Sequence, residues 1–217
     1  MTEMFPILLD LLFPRRSLTG GEGEFITESE LRSLRSAPVI LETPQLRLQQ
    51  LEWIDRIVAA ADYDAVPLLK KAVRTLKYTK VRSVAATLGM ILADAAGLLA
   101  DDDQCVLCPV PLHWIRRFSR GFNQAELLAL AVGRECGWEV RSLLRRVRWT
   151  GSQVGRHRGE RLIGVNDAFL IRSGIAVPEH IILIDDLSTT GATLDACAKA
   201  LKNAGVKTVE GLVLAMG

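Results

Sequence analysis

Two adjacent carboxylates, Asp185 and Asp186, stand between a short apolar run and a loop of small residues. The run, residues 180–184, is rich in β-branched side chains and predicts a buried parallel strand that ends at the acidic pair. Carboxylate oxygens accept hydrogen bonds from vicinal sugar hydroxyls and bind Mg²⁺ through water. Because neighbouring like charges repel each other, we expect a ligand to be the reason for the pair.

The loop after the acidic pair is suited to holding a phosphate dianion. Its hydroxyl side chains can donate hydrogen bonds, and Gly191 lets the backbone approach a ligand without a Cβ. Helical spacing follows from residue 194, so a helix N-terminus with its dipole points at the same place. Simple helix capping by Thr190 or Thr193 is the alternative, but capping does not account for two carboxylates. The predicted phosphate-binding residues are Ser188, Thr189, Thr190, Gly191, Ala192 and Thr193.

The motif Asp-Asp-x-x-Thr-Thr-Gly-x-Thr at residues 185–193 resembles the phosphoribosyl-pyrophosphate (PRPP) motif of the type I phosphoribosyltransferases. In that family the acidic pair binds the ribose 2′- and 3′-hydroxyls, and the loop holds the 5′-phosphate. The resemblance implies an α/β fold whose mainly parallel sheet is flanked by helices. It also implies that PRPP binds together with Mg²⁺, and that Asp185 and Asp186 are the catalytic residues.

Arginine is concentrated in the middle of the chain. Between Arg116 and Arg161 there are eleven arginines, four glutamates and no lysine, in a chain whose net charge is only +2. Arginine suits bidentate phosphate recognition, and a polar, glycine-containing stretch at residues 150–161 has the composition of a mobile lid. Contact with nucleic acid or solvent is the alternative. The candidates for pyrophosphate or lid contacts are Arg116, Arg117, Arg120, Gly121, Gln153, Arg158 and Arg161.

A longer series of motifs, from about residue 50 to the end, is similar to the ComF family of ComFC and GntX-like proteins. The most specific pieces are Arg-Gly-Phe-Asn-Gln at residues 120–124 and the acidic loop itself. This resemblance implies a phosphoribosyltransferase-like domain at residues 51–217. It further implies a link to DNA uptake in natural competence, with single-stranded DNA and a ComFA-like helicase as partners.

The N-terminal part departs from the ComF pattern. Family members usually carry a Cys-x-x-Cys zinc module there, whereas this chain has Ser17, Gly20, Thr27 and Glu30 at those places. Without thiolates the tetrahedral zinc site is lost. We therefore predict that residues 1–50 form a small degenerate appendage that needs no zinc and is held in another way.

Other parts of the sequence predict a helix, the exposure of one lysine, the packing of two cysteines and the location of the protein. An apolar stripe predicts a helix over residues 53–61, and Lys77 at the end of the next helix is interpreted as a solvated lysine, although it could reach a substrate phosphate. Cys105 and Cys108 fall in a predicted strand, where they face opposite sides and are expected to pack as small hydrophobes. The chain opens without a signal peptide and has no apolar run long enough for a membrane span, so a cytoplasmic location is expected.

The sequence leaves two functions open. In the first, the protein is a phosphoribosyltransferase that binds PRPP at the switch point between the strands ending at Leu112 and Ile184, and a nucleobase or amine displaces pyrophosphate. In the second, it is a non-catalytic adaptor that binds a nucleotide or single-stranded DNA within the uptake machinery, which the arginine surplus favours. The sequence identifies neither the acceptor nor the oligomeric state.

Overall fold

The computed structural model describes residues 16–78, 82–99, 105–112, 121–147 and 168–217. No helix within these ranges is long and apolar enough to cross a bilayer. The helices are α1 (Glu28–Leu34), α2 (Thr43–Leu48), α3 (Pro67–Tyr78), α4 (Arg82–Ala96), α5 (Gln124–Cys136) and α6 (Ala192–Lys202). The strands are β1 (Val39–Leu41), β2 (Arg56–Asp62), β3 (Val106–Pro109), β4 (Glu139–Val140), β5 (Leu144–Arg146), β6 (Phe169–Ile171), β7 (His180–Ser188) and β8 (Thr208–Met216).

The main sheet of the described residues has the strand order β1-β2-β8-β7-β3-β4. Only β1 runs antiparallel to its neighbour, and the other pairs in this sheet are parallel. Helices α3, α4 and α5 pack on one face, while α6 and the antiparallel ribbon of β5 and β6 pack on the other. The predicted α/β fold, with a mainly parallel sheet flanked by helices, is confirmed.

The helix predicted over residues 53–61 is wrong, because this segment contains strand β2. The run from Ile57 to Ala61 is at most 4% exposed, and both faces of the strand are covered by core. A strand buried on both faces is apolar at every position, so it also satisfies helical spacing. Tertiary contacts decide the outcome. The amides of Trp53 and Ile54 donate to Asp195 Oδ1, at 2.7 and 3.0 Å, and pair with α6 rather than within a helix.

The chain changes direction across the sheet between β3 and β7. These two strands are parallel neighbours, but β3 continues outward to β4, whereas β7 continues through α6 to β8 on its other side. In open α/β sheets, ligands bind beyond the carboxyl ends of the strands at such a switch point. The expected switch point is therefore present, although the strands end at Pro109 and Ser188 rather than at Leu112 and Ile184.

The cysteines in the centre of the molecule act as core residues. Cys105 packs with the helices α3 to α5, and Cys108 packs on the α6 side of the sheet, as the strand alternation predicts. Burial raises the pKa of Cys108 to about 11, so this thiol stays protonated at neutral pH. Among the described residues, no group of histidine, cysteine, aspartate or glutamate side chains could hold a metal ion.

The N-terminal loop is organised around one buried carboxylate, that of Glu30. Its oxygens accept hydrogen bonds from the Thr19 amide at 2.6 Å, the Thr19 hydroxyl at 2.7 Å and the Thr27 amide at 2.9 Å. Burial alone would raise the pKa of Glu30, but the hydrogen bonds from Thr27, Thr19 and Ser17 outweigh it and lower the pKa to about 2. The carboxylate thus joins chain segments on both sides of the loop.

Residues 28–48 contribute to the core of the sheet as well. Leu34 packs in the core of the α3 to α5 face, and Leu46 packs in that of the α6 face, both with no exposed surface. Strand β1 extends the sheet by pairing with β2. The division of the chain at residue 50 stays a prediction.

We predict that Glu30→Gln lowers the free energy of unfolding by about 2 kcal/mol at pH 7, because an amide group cannot replace a carboxylate that accepts three hydrogen bonds. Urea denaturation measures this change, and Glu28→Gln on the exposed side of α1 is the matched control. Since the pKa of Glu30 is lowered from 4.5 to about 2, its stabilisation is present above about pH 4.5 and is lost as the pH falls toward 2. Equal stability of the two variants would contradict the assigned role.

Candidate functional site

The loop between β7 and α6 is shaped by Gly191. This residue has a φ of 72°, in the left-handed region, and it caps α6 without a side chain. Its amide donates to the Ser188 hydroxyl at 3.2 Å, and a Cβ at this position would lie 2.5 Å from Leu51 Cδ1. The backbone conformation therefore favours glycine here, and a Cβ would also displace the Leu51 side chain. The turn brings the start of α6 to the carboxyl end of β7, where a helix N-terminus favours an anion.

The acidic pair lies within β7 rather than after it, because this strand continues to Ser188 and pairs with β8 along that length. Successive side chains of a strand point to opposite faces, so Asp185 and Asp186 point to opposite sides of the sheet. Asp186 is 8% exposed, and its Oδ2 lies 3.2 Å from Lys77 Nζ at the end of α3. The contact is an ion pair without hydrogen-bond alignment, because Asp186 Oδ2 has no hydrogen-bond partner among the described residues.

Asp185 occupies a different environment on the other face. Its Oδ1 accepts a hydrogen bond from the Asp186 amide at 2.8 Å. Burial and the neighbouring Asp186 carboxylate raise the pKa of Asp185 to about 7, although that hydrogen bond and the cations Lys77 and Arg146 act in the opposite direction. Near neutral pH the pair therefore carries less than its full negative charge, and small changes in the surroundings alter its protonation.

All eight predicted residues of the acidic pair and the loop line one cleft with a volume of about 190 Å³. The cleft opens at the carboxyl ends of β3 and β7, at the switch point of the sheet. Its lining consists of Lys77, Val110, Pro111, Leu112, Gln124, Arg146, Asp185, Asp186, Leu187, Ser188, Thr189, Thr190, Gly191, Ala192, Thr193 and Leu194.

Of the pyrophosphate and lid candidates, Gly121 lies among the described residues. Gly121 is exposed before α5, with a φ of 78°, and it does not line the cleft. The remaining candidates lie outside the described residues and stay predictions: Arg116, Arg117, Arg120, Gln153, Arg158 and Arg161.

Three polar residues of the cleft were not among the predicted site residues. Lys77 is not a solvated helix-end lysine, because its side chain is only 23% exposed and pairs with Asp186. Arg146 reaches the cleft from β5, with its guanidinium carbon 5.3 Å from the centre of the Phe169 ring. Gln124 is the first residue of α5 and belongs to the Arg-Gly-Phe-Asn-Gln motif, which was the sequence signal that could have identified it.

A second cleft of about 160 Å³ adjoins the first and shares Pro111, Leu112 and Arg146 with it. Arg145 and Arg172 also line this second cleft, and Glu126 is the one acidic residue among its described lining. The two clefts together place an acidic pair, an anion-cradling turn and a group of arginines along one side of the molecule. This arrangement can bind a phosphorylated sugar and can extend to further phosphate groups.

We predict that the wild-type protein loses stability relative to Asp185→Asn as the pH rises from about 4 to 8. The pKa of Asp185 is raised above its ordinary value of 3.8, so the folded state holds a proton that the unfolded state releases first. The relative loss should reach about 1–2 kcal/mol, because the half-buried carboxyl is partly screened by solvent. Urea denaturation at several pH values measures it, and parallel pH profiles of the two proteins would contradict the prediction.

Comparison with known proteins shows similarity to proteins named for competence and for DNA utilization. The chain is 42% identical to the competence protein ComFC of Streptococcus pneumoniae over 101 residues, which is 46% of this chain and 43% of that protein. It is 33% identical to the DNA utilization protein YhgH of Salmonella typhimurium over 165 residues, covering 71% of this chain and 69% of that protein.

No family model matches the sequence. Among solved structures, a protein described as the allosteric regulatory enzyme of purine biosynthesis has a TM-score of 0.41 and 19% identity, over 65% of this chain and 30% of that one. The sequence relatives show the family, because the similarity to YhgH extends over more than two thirds of both chains. The chain belongs to the ComF family, in which ComFC and YhgH are its relatives.

Proposed function

We propose that the protein binds PRPP in the cleft at the end of β7. The 5′-phosphate would be held by the loop from Ser188 to Thr193, and the ribose hydroxyls by Asp185 and Asp186. The observation that carries the proposal is that both acidic residues and the whole loop line one cleft at the switch point. A helix N-terminus and hydroxyl groups complement a phosphate, while carboxylates complement vicinal hydroxyls, so one pentose phosphate satisfies both halves.

Magnesium is proposed to bind together with the ligand. Asp186 Oδ2 is buried and has no hydrogen-bond partner among the described residues, so it can accept a hydrogen bond from a magnesium-bound water. When bound, Mg²⁺ neutralises charge on a pyrophosphate group. The carboxylates would orient the ribose ring. The ion pair with Lys77 would hold Asp186 in position for this contact.

For the reaction itself we propose transfer of the phosphoribosyl group. The bond between ribose C1 and the pyrophosphate oxygen breaks, pyrophosphate leaves with the electron pair, and a nucleobase or amine nitrogen bonds to C1 and releases its proton to the departing pyrophosphate or to solvent. Positive charge develops on the sugar as negative charge grows on the leaving group, and arginine side chains would stabilise the latter. Arg146 is the described arginine of the cleft, and Arg116, Arg117, Arg120, Gln153, Arg158 and Arg161 are further candidates.

The names of the relatives support a role in DNA uptake. Relatives described as a competence protein and a DNA utilization protein make such a role our proposal for this chain. We further propose that it acts in the cytoplasm, with a ComFA-like helicase as a partner. PRPP binding would then couple nucleotide chemistry to the handling of incoming DNA.

A second candidate function is that of a non-catalytic adaptor for nucleotides or single-stranded DNA. The second cleft favours it, since Arg145, Arg146 and Arg172 lie beside the sugar-phosphate cleft and could bind successive backbone phosphates. Binding of single-stranded DNA with a steep salt dependence that persists in Asp186→Asn would assign the arginines to nucleic acid. DNA binding that is lost with PRPP binding would instead place both ligands in one cleft.

Calorimetry with PRPP and Mg²⁺, followed by a pyrophosphate-release assay over a panel of nucleobases and amines, tests the enzyme hypothesis. Saturable binding with release of pyrophosphate in the presence of one acceptor supports a phosphoribosyltransferase. Saturable binding without release for any acceptor supports the adaptor. Absence of PRPP binding would reject the proposed ligand.

We predict that the double substitution Asp185→Asn, Asp186→Asn weakens PRPP binding roughly a hundredfold, because two charge-assisted hydrogen-bond acceptors are lost. The fold should persist, since the change removes the repulsion between the two carboxylates along with the Lys77 ion pair. Calorimetry measures the affinity and thermal unfolding measures the stability. Asp64→Asn, on an exposed carboxylate paired with Lys70, is the control. Unchanged affinity in the double variant would refute the assigned site.

A further inference from the structure

The turn between β7 and α6 is backed by residues 50–54, a segment between α2 and β2 that we call the buttress. Leu51 of the buttress has no exposed surface and packs against Gly191, where a Cβ would lie 2.5 Å from Leu51 Cδ1. Gly191 lines the cleft, whereas Leu51 does not. The leucine therefore contacts the turn from outside the cleft and leaves the ligand side open.

Asp195 joins the buttress to α6. Its Oδ1 accepts hydrogen bonds from the amides of Trp53 and Ile54, at 2.7 and 3.0 Å. Its own amide donates to the Gly191 carbonyl at 2.9 Å, which is the bond that opens the helix behind its N-cap. One residue of the first helical turn therefore connects the buttress with the turn that precedes α6.

The buttress is itself fixed at the C-terminus of α2. The amide of Leu51 donates to the Leu46 carbonyl and that of Gln50 to the Arg47 carbonyl, both at 3.0 Å, which is a Schellman motif. The Arg47 guanidinium also donates to the Leu51 carbonyl. Gln50 has a φ of 62°, in the left-handed region where such motifs usually have glycine. Because a residue with a side chain seldom adopts this conformation, the surrounding contacts must hold it.

An acidic residue in the first turn of a helix has an ordinary explanation, which is favourable interaction with the helix dipole. For Asp195 the charge also has a cost, because a carboxylate near the N-terminus of α6 repels an anion bound there. Its two hydrogen bonds to the buttress need an acceptor oxygen but no charge. The two explanations therefore predict different effects of replacing Asp195 by asparagine.

We propose that Asp195 and Leu51 are positioning residues for the phosphate-binding turn of residues 188–193. Neither side chain lines the cleft, so both act through the turn rather than on the ligand. By holding the turn in one conformation before a ligand binds, they remove the entropy cost of ordering it. The inference rests on the proposed function and adds to it a dependence of ligand affinity on a segment that precedes β2.

The first test compares Asp195→Asn, which keeps an acceptor oxygen and removes the charge, with Asp195→Ala, which removes both. Calorimetry measures the affinity of each variant for ribose 5-phosphate and for PRPP. We expect Asp195→Asn to bind at least as tightly as wild type and Asp195→Ala to bind both ligands about tenfold more weakly. Equal affinities in the two variants would overturn the role of Asp195.

The second test separates positioning of the turn from support of the fold. Leu51→Ala is compared with Leu201→Ala, because both leucines are fully buried in the same core and Leu201 lies near the other end of α6. Both variants should lose stability in thermal unfolding, and Leu51→Val replaces the first if it does not fold. At a temperature where both are folded, we expect ribose 5-phosphate to bind about tenfold more weakly to Leu51→Ala and within about twofold of wild type to Leu201→Ala. Equal affinities in the two variants would overturn the role of Leu51.

Hydrogen exchange distinguishes failure of this inference from failure of the proposed function, because it needs no ligand. If wild type binds neither PRPP nor ribose 5-phosphate, the proposed function fails. The amides of Gly191 and Asp195, which donate to Ser188 Oγ and to the Gly191 carbonyl, then report the order of the turn. Faster exchange at both amides in Leu51→Ala than in Leu201→Ala would still support positioning of the turn. The same exchange rates in the two variants would overturn it.

Discussion

The repulsion between two neighbouring carboxylates constrains everything around the end of β7. Asp185 and Asp186 are consecutive residues of a buried strand, so neither can move away from the other, and burial makes their charges more costly than in water. The surrounding structure offsets the cost in two ways. The pKa of Asp185 rises, and the cations Lys77 and Arg146 approach from the helical layer and from the β5–β6 ribbon. Such an arrangement weakens the fold, which is typical of residues retained for binding or catalysis.

The sheet topology determines what the acidic pair can bind. Strand β7 lies between two parallel neighbours, β3 and β8, and its carboxyl end therefore opens at the switch point together with the turn into α6. Gly191 closes this turn so tightly that Leu51 packs where a Cβ would be, and the helix N-terminus lies directly beyond the carboxylates. In the proposed binding mode, this turn holds the phosphate and the two carboxylates hold the hydroxyls of one pentose phosphate.

The sequence predicts those site residues that lie in one continuous segment of the chain. Residues 185–193 contain both carboxylates and the loop, and their spacing predicts a strand, a turn and a helix without any long-range information. Lys77, Arg146 and Gln124 come from three other elements, α3, β5 and α5, and their approach depends on how those elements pack. Asp185 and Asp186 lie within the strand, because pairing with β8 extends it by four residues, and strand ends are set by partners rather than by composition.

The fold shows the same division between local and long-range information. The bounds of α5 follow from the residues that cap it, Asn123 at the N-terminus and Gly137, with a φ of 75°, at the C-terminus. The sequence pattern of β2 predicts a helix, because a strand buried on both faces lacks the alternation of apolar and polar residues that identifies a strand. The hydrogen bond from Thr19 to the Glu30 carboxylate joins residues 11 positions apart, and the sequence pattern does not show it.

A crystal structure of the protein with PRPP and Mg²⁺ tests the central claim most directly. The proposed binding mode places the 5′-phosphate against the backbone of residues 189–193 and the two ribose hydroxyls on the carboxylates of Asp185 and Asp186. Electron density for the ligand in this position would support the account. Density at another surface, with the cleft beside β7 free of the ligand, would contradict it.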